Sequence, residues 1–401
     1  MTRPHEHQGM LARHTSAGRV GVVQIVAIEL AVMAVVTPAV TTTPMTAMTT
    51  TLVALPLLLP VLARHHGRWW YEAVFAWLEL RRRRRDGTRA VLVGAEFFDT
   101  YPELARLFPH LAIQSIPHRE TSIGIGADDL GWFAVIALTA PDGIAVGPSE
   151  PMSIGLLVRQ AGALSTVQVV TRHTPAPVSA DPDSPCAVSY QELCQRLAVA
   201  YQRQTWIALR IELRDAADRE GDEAGVHAAL ASATTRISEL LNSQGMGHRV
   251  LDARGLRRAL ADAYGPGPYA GGHLVSGAAG ESWSRWRGEH AVHLCYAVTD
   301  WPEDAAPETL TWLGAVAGAH AVCVSLAAGP MRAPGRDSGH VGGRVVVRLV
   351  ASPRTVRQCQ RTLRAGAGRL GIGLVRLDGE LGPAVYASTP TAASHGWGNP
   401  W

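Results

Sequence analysis

The sequence predicts an α/β domain, a mixed sheet with packed helices, behind an N-terminal two-helix transmembrane hairpin. Three observations predict it. Two apolar runs near the N-terminus are joined by a connector without charge, a run of five arginines follows them closely, and beyond Arg89 strand-like alternation and helical spacing take turns. The expected organisation is a terminal segment and hairpin over 1–66, an aromatic and polybasic helix over 67–86, and a cytoplasmic domain over 87–401.

The first run, "VGVVQIVAIELAVMAVVTPAV" over 20–40, has the length of a span, for which about 20 apolar residues are needed. The second, "MTAMTTTLVALPLLLPVLA" over 45–63, is slightly shorter, and "TTTP" between them suits a tight helical hairpin. A cleaved signal peptide is the competing reading of the first run. Its apolar part is too long for a signal core, and a second span follows with no domain between. Arg3, Arg13 and Arg19 precede the first span, while Arg64, Arg68 and Arg81 to Arg85 follow the second. Positive charge near a span marks the cytoplasmic side, so both termini are expected in the cytoplasm. Gln24 and Glu29 fall inside the first span. Polar groups there need a partner, either within the hairpin (Thr46, Thr49 or Thr50) or on a neighbouring membrane protein, and the second reading is favoured.

Residues 67–86 read "GRWWYEAVFAWLELRRRRRD". Trp70, Val74 and Trp77 recur at helical spacing, as do Tyr71, Phe75 and Leu78, giving a broad apolar face beside the membrane. Trp69, Trp70, Phe75 and Trp77 are candidate contacts at the depth of aromatic belts. Arg81, Arg82, Arg83, Arg84 and Arg85 are candidate contacts with anionic lipid head groups, at about 1 kcal/mol each. A plain topology signal explains the arginines but leaves the aromatic face uncovered.

Along the large domain, "IGIGADDL" and "GWFAVIALTA" (131–140) predict a hairpin, and "SYQELCQRLAVAYQRQ" a helix before the buried strand "TWIALRIEL" (205–213). A helix is expected from about Gly225 to Asn242, with Val226, Leu230, Ala233, Ile237 and Leu241 on one face and Gly245 closing it. "HRVLDA" gives a short strand and "RGLRRALADAYG" a helix. Val292, Leu294, Tyr296 and Val298 alternate in a strand ending near Asp300. "ETLTWLGAVAGA" and "HAVCVSLAA" then read as helix and strand. The last unit, "RVVVRLVA", Ser352-Pro353 as N-cap and first-turn proline, "RTVRQCQRTLRAGAG" and "IGLVRLDG", predicts a βαβ-like closure. Residues 173–186 and 329–343 read as Pro- and Gly-rich loops, and no repeat of short period is visible.

Composition excludes several function classes. All 37 basic residues are arginines, so a Walker-A lysine and Schiff-base chemistry are absent. Eleven arginines against five acids precede residue 90, leaving 26 against 29 beyond it. The large domain therefore lacks the basic footprint of a nucleic-acid binder. The five cysteines match no zinc spacing and read as reduced thiols. Asp181-Pro-Asp183 has the spacing of a transferase metal pair but sits in a proline-rich loop, where turn chemistry is the stronger reading; Asp128-Asp129 reads the same way. "GIG" (124–126) and "GPGPYAGG" (265–272) lack the context of phosphate loops, and His290 and His293 would point to opposite faces of a strand. No catalytic residue, cofactor site or metal site is assigned.

The hairpin, "YEAVFAWLELRRRRR", "QTWIALRIEL", "ALASATTRISELLNSQG" and "ESWSRWRGEHAVHLCYAVTDWP" occur in an order that resembles EccE, a membrane component of type VII (ESX) secretion systems. The ordered set carries the resemblance; no single motif does. It implies a non-enzymatic structural subunit in the bacterial inner membrane, assembled with EccB-, EccC- and EccD-like subunits, of which the EccC-like one is the ATPase. The alternative is a membrane-anchored transferase with a nucleotide-sugar-binding α/β domain.

Overall fold

The computed structural model describes residues 64–65, 68–90, 104–108, 110–119, 121–139, 154–162, 165–175, 185–196, 201–217, 223–265, 280–289, 291–300, 312–314, 316–330 and 341–393, with Glu29 and Met33 as isolated points. The hairpin over 20–63 otherwise lies outside the described residues, as do Gln24, Asp181, Asp183 and the tail from 394. Among the described residues no helix is long and apolar enough to cross a membrane.

Two short strands, β1 (Arg64–His65) and β2 (Arg68–Trp69), pair antiparallel and lead straight into α1 (Trp70–Ala90). After the short α2 (Leu104–Leu107) come β3 (Ala112–His118), β4 (Thr121–Asp128) and β5 (Gly131–Leu138). Next are α3 (Ile154–Ala161), β6 (Ser165–Pro175), α4 (Pro185–Arg196), β7 (Tyr201–Glu212), α5 (Leu213–Ala217), α6 (Glu223–Ser243), β8 (His248–Val250) and α7 (Ala253–Tyr264). The chain continues through β9 (Gly280–Glu281), β10 (Trp286–Arg287), β11 (Val292–Asp300), β12 (Ala321–Pro330) and β13 (Val341–Ala351). It closes with α8 (Val356–Arg369), β14 (Gly373–Arg376) and α9 (Leu381–Ala387).

Most expected elements stand where periodicity put them. The five apolar positions named for the 225–242 helix are all buried on α6, and Gly245 ends it at φ +68°. Both expected loops are shortened, because β6 runs to Pro175 and β12 and β13 extend to Pro330 and from Val341. Thr355, not Ser352, occupies the N-cap of α8. Ser352 forms the preceding turn, its Oγ accepting from the Thr355 amide at 3.2 Å.

The sheet is antiparallel, not mixed. Among the described residues its twelve strands run β3-β4-β5-β7-β6-β12-β13-β11-β10-β9, with β8 also on β5 and β14 also on β11, and every pairing is antiparallel. The helical crossovers do join strands of like direction, as a βαβ pattern requires. A third strand sits between them each time: β11 lies between β13 and β14, and β5 and β6 flank β7.

That arrangement occurs twice. Strands in the order β8-β5-β7-β6 form one unit with split-βαβ, ferredoxin-like connectivity, and β14-β11-β13-β12 repeat its strand order, with most of the β11-to-β12 connection outside the described residues. In each, a further strand (β4 or β10) lies end to end with the last one along the first. The units join edge to edge through β6 and β12, from Val167↔Ala328 to His173↔Val322. On one face each unit has its own core, under α3 and α6 in the first and beneath α8 in the second. On the other face one core serves both, filled by α2, α7 and α9.

Candidate functional site

The shared face carries the most unusual chemistry in the domain. Arg210 on β7 and Arg348 on β13 are both fully buried and hold equivalent places in the two units. Arg210 is paired with Phe133 and Thr166, Arg348 with Cys295 and Cys323. A buried guanidinium must find acceptors for its N–H groups. Arg210 donates to both oxygens of Asp128, at 2.7 and 2.8 Å, to the Thr391 carbonyl at 2.7 Å and to the Tyr386 hydroxyl at 3.0 Å. Its guanidinium lies 5.0 Å from the Phe133 ring centre. The Tyr386 hydroxyl donates to Asp128 in turn. Burial alone would raise the Asp128 pKa, but the hydrogen bonds and charge of Arg210 outweigh it and hold the carboxyl below its ordinary value. Burial pushes the Tyr386 phenol up, so it remains a donor.

Arg348 has no carboxylate partner among the described residues. It donates to the Ala263 carbonyl, to that of Tyr264 at 3.2 Å and to Cys323 Sγ at 3.2 Å. Arg172, also buried, donates to the Gly265 carbonyl at 2.9 Å. These are the free carbonyls at the end of α7, where the helix dipole is negative, so two arginines cap one helix C-terminus. His293, stacked on Tyr264 at 4.8 Å, is held well below its usual pKa by burial and by Arg348 and His320.

The two clusters are reciprocal. Arg210 of the first unit is bonded by α9 and the segment after it, which follow the second unit. Arg348 of the second unit is bonded by α7, which follows the first. Gln168 bridges the seam, donating to Ser325 Oγ at 2.7 Å and the Ala387 carbonyl at 2.6 Å and accepting from the Ala392 amide at 2.6 Å. These side chains are sealed and partnered, and their arrangement holds the fold together. Among the described residues no three His, Cys, Asp or Glu side chains converge as a metal site.

Accessible chemistry gathers instead on α1. Ala76 and Leu80 are buried against the domain, whereas Phe75, Trp77 and Leu78 are 64%, 47% and 48% exposed. The arginine run is divided as well. Arg83 makes a two-pronged pair with Glu281, Nε to Oε2 and Nη2 to Oε1 both at 3.1 Å, and donates to the Gly379 carbonyl at 2.6 Å. Arg84 donates to the Glu281 carbonyl at 2.9 Å, and Glu281 Oε1 also accepts from the Gly382 amide at the start of α9. Arg81 and Arg82 are exposed; the first lies 5.4 Å from the Trp77 ring centre and the second 4.0 Å from Glu79. Arg85 is exposed too. Glu29 is helical and exposed.

Sequence reasoning did not assign Asp128, Arg210, Arg348 or Glu281 a role in this chemistry. Asp128, expected to serve a turn, does accept from the Leu130 amide at 2.8 Å but chiefly anchors Arg210. The signal that could have found the arginines is a lone charge in an apolar strand, in "TWIALRIEL" and in "RVVVRLVA". Glu281, the partner of Arg83, carried no signal. Gly124 of "GIG" has a structural reason: a Cβ there would lie 2.5 Å from the Asp252 carbonyl carbon.

Residues 199–298 match the family model described as "EccE: Putative type VII ESX secretion system translocon, EccE". That segment runs from just before β7 almost to the end of β11, and takes in two of the stretches that carry the resemblance and most of a third. No curated protein matches the chain.

Proposed function

We propose, for a chain whose residues 199–298 match the EccE family model, that it is a structural subunit of a type VII (ESX) secretion membrane complex. The N-terminal hairpin anchors it in the bilayer, both termini lie in the cytoplasm, and the twelve-stranded domain forms part of the cytoplasmic rim of the assembly. EccB-, EccC- and EccD-like subunits are its partners, and Gln24 and Glu29 supply polar contacts within the membrane. Trp69, Trp70, Phe75 and Trp77, with the arginine run, mark where the chain leaves the membrane.

The observation that carries this reading, beside the family match, is how α1 is joined to the domain. Arg83 and Arg84 fasten the membrane-proximal helix to β9 and to the start of α9. From α9, Tyr386 reaches Asp128 and Arg210 of the first unit. A subunit whose task is to hold a place in an assembly needs such a continuous connection from anchor to domain. Purification of the membrane complex tests the proposal. The chain is expected to co-elute with an EccC-like ATPase, and free migration overturns the reading. Glu29→Leu is expected to loosen the complex; intact assembly in that variant removes the intramembrane contact.

A further inference from the structure

The arginine run repeats the apolar residues before it at an interval of one heptad. Val74, Phe75, Ala76, Trp77 and Leu78 are followed seven positions later by Arg81, Arg82, Arg83, Arg84 and Arg85. All ten lie on the single helix α1. Seven residues are nearly two turns, so each pair shares a sector of the helix to within about 20° and is about 10 Å apart along its axis. The structure displays the correspondence directly. Ala76 is buried and Arg83 pairs with Glu281, so both face the domain, while Phe75 and Arg82, and Leu78 and Arg85, share outward sectors.

Apolar and cationic residues on α1 are therefore separated along the axis and not around it. A helix lying flat on a bilayer places each heptad pair at one depth, which either drags arginines into hydrocarbon or lifts aromatics into water. A steep helix places the first half in the interface and the second about 10 Å further out. The head-group zone is about 5–8 Å thick on each side, so that offset carries the chain through it. The second apolar run ends at Ala63, seven residues before α1 begins, which keeps the start of the helix at the membrane.

We propose that α1 meets the membrane end-on, with Phe75, Trp77 and Leu78 in the interface and Arg81 and Arg82 on the phosphates of anionic lipids. Arg83 and Arg84 are positioning residues, which bond to Glu281 of the domain and set the angle at which it stands on the bilayer. This places the β9 end of the sheet next to the head groups. The inference rests on the hairpin reading above and specifies its lipid partner and orientation.

Depth measurements on the full chain test it. The chain is reconstituted in phosphatidylcholine vesicles containing one quarter phosphatidylglycerol, with Cys186 and Cys194 replaced by serine. Nitroxide labels are placed singly at 75, 78, 82 and 85, and at 30 and 58 as hairpin controls. Collision with oxygen against a nickel chelate reports depth. Labels 75 and 78 are expected deeper than 82 and 85 by about 10 Å within each heptad pair. Equal depth within each pair overturns the end-on geometry. Water exposure at all four, with 30 and 58 in lipid, overturns the inference alone; water exposure at 30 and 58 overturns the hairpin itself. Shielding of 75 and 78 from both reagents only in the assembled complex assigns the surface to a protein and overturns the lipid assignment. Arg81→Gln with Arg82→Gln is expected to lower the preference for phosphatidylglycerol by about fivefold per arginine, and Arg83→Gln to lower it by less than one such step. Equal losses in the two variants overturn the division of the run.

Discussion

At the residue scale the domain depends on charges that it has removed from water. Arg210 and Asp128 form a two-pronged pair, almost wholly buried, with Tyr386 bonded to both. Removing one partner strands the other's charge, so Arg210→Met is expected to destabilise the domain by about 3–5 kcal/mol, read by urea unfolding. Tyr386→Phe is expected to cost about 1 kcal/mol, because the ion pair survives. Histidines set the pH response. Burial, with Arg203 nearby, lowers His173 to about 4, against about 6.5 in an unfolded chain. Between those values the unfolded state binds the extra proton, so stability falls as pH drops through that window. From pH 7 to pH 5 the loss from His173 is about 2 kcal/mol. Thermal scans are expected to show a Tm that falls on acidification, and His173→Phe is expected to remove the His173 share of that fall while the share from His293 and His320 remains. Asp128 acts lower: its carboxyl titrates below the ordinary carboxylate range, so its contribution holds above about pH 4 and is lost beneath it. Little of this was legible in the sequence. The lone arginines stand out in their strands, but Tyr386 is 258 positions from Asp128, and nothing local pairs them.

At the scale of single elements the sequence was far more informative, because burial of one face imposes a period of 2 or 3.6 on any strand or helix. The period fixes an element's kind and face but not its neighbour, so the strand order and the antiparallel pairing could not be read from it. Close approaches were equally hidden. Gly124 on β4 donates its amide to the Leu251 carbonyl at 2.7 Å, and its missing side chain lets the backbone before α7 settle on the sheet. Gly124→Ala would meet backbone atoms that cannot swing aside. It is expected to cost about 1–3 kcal/mol in denaturant unfolding. The attachment of α1 is testable in the same way. Glu281→Gln weakens the Arg83 contact and is expected to raise amide exchange in 76–85, while Glu79→Gln, on the exposed side, is expected to leave it unchanged. Equal protection in both variants would mean that the helix is held by Ala76 and Leu80 alone.

At the scale of the whole molecule the two units share one sheet, one core and each other's buried arginines. Neither has a complete interior by itself, since Arg348 needs the end of α7 and Arg210 needs α9. The domain is therefore expected to unfold as one cooperative body, with calorimetric and van't Hoff enthalpies in agreement. Two separate transitions would show that the reciprocal contacts contribute little. The doubling was invisible in the sequence because equivalent positions hold different side chains, Phe133 against Cys295 and Thr166 against Cys323. Only the connectivity and the central arginine are kept.

The seam between β6 and β12 also records how such a chain could arise. Identical strands side by side in opposite directions are what a twofold-symmetric dimer forms at a sheet edge. A single ancestral unit, meeting its own copy across that edge, would already possess the interface, and each copy's final helix would already close the other's interior. Gene fusion then needed only a tether, after which the two halves were free to diverge.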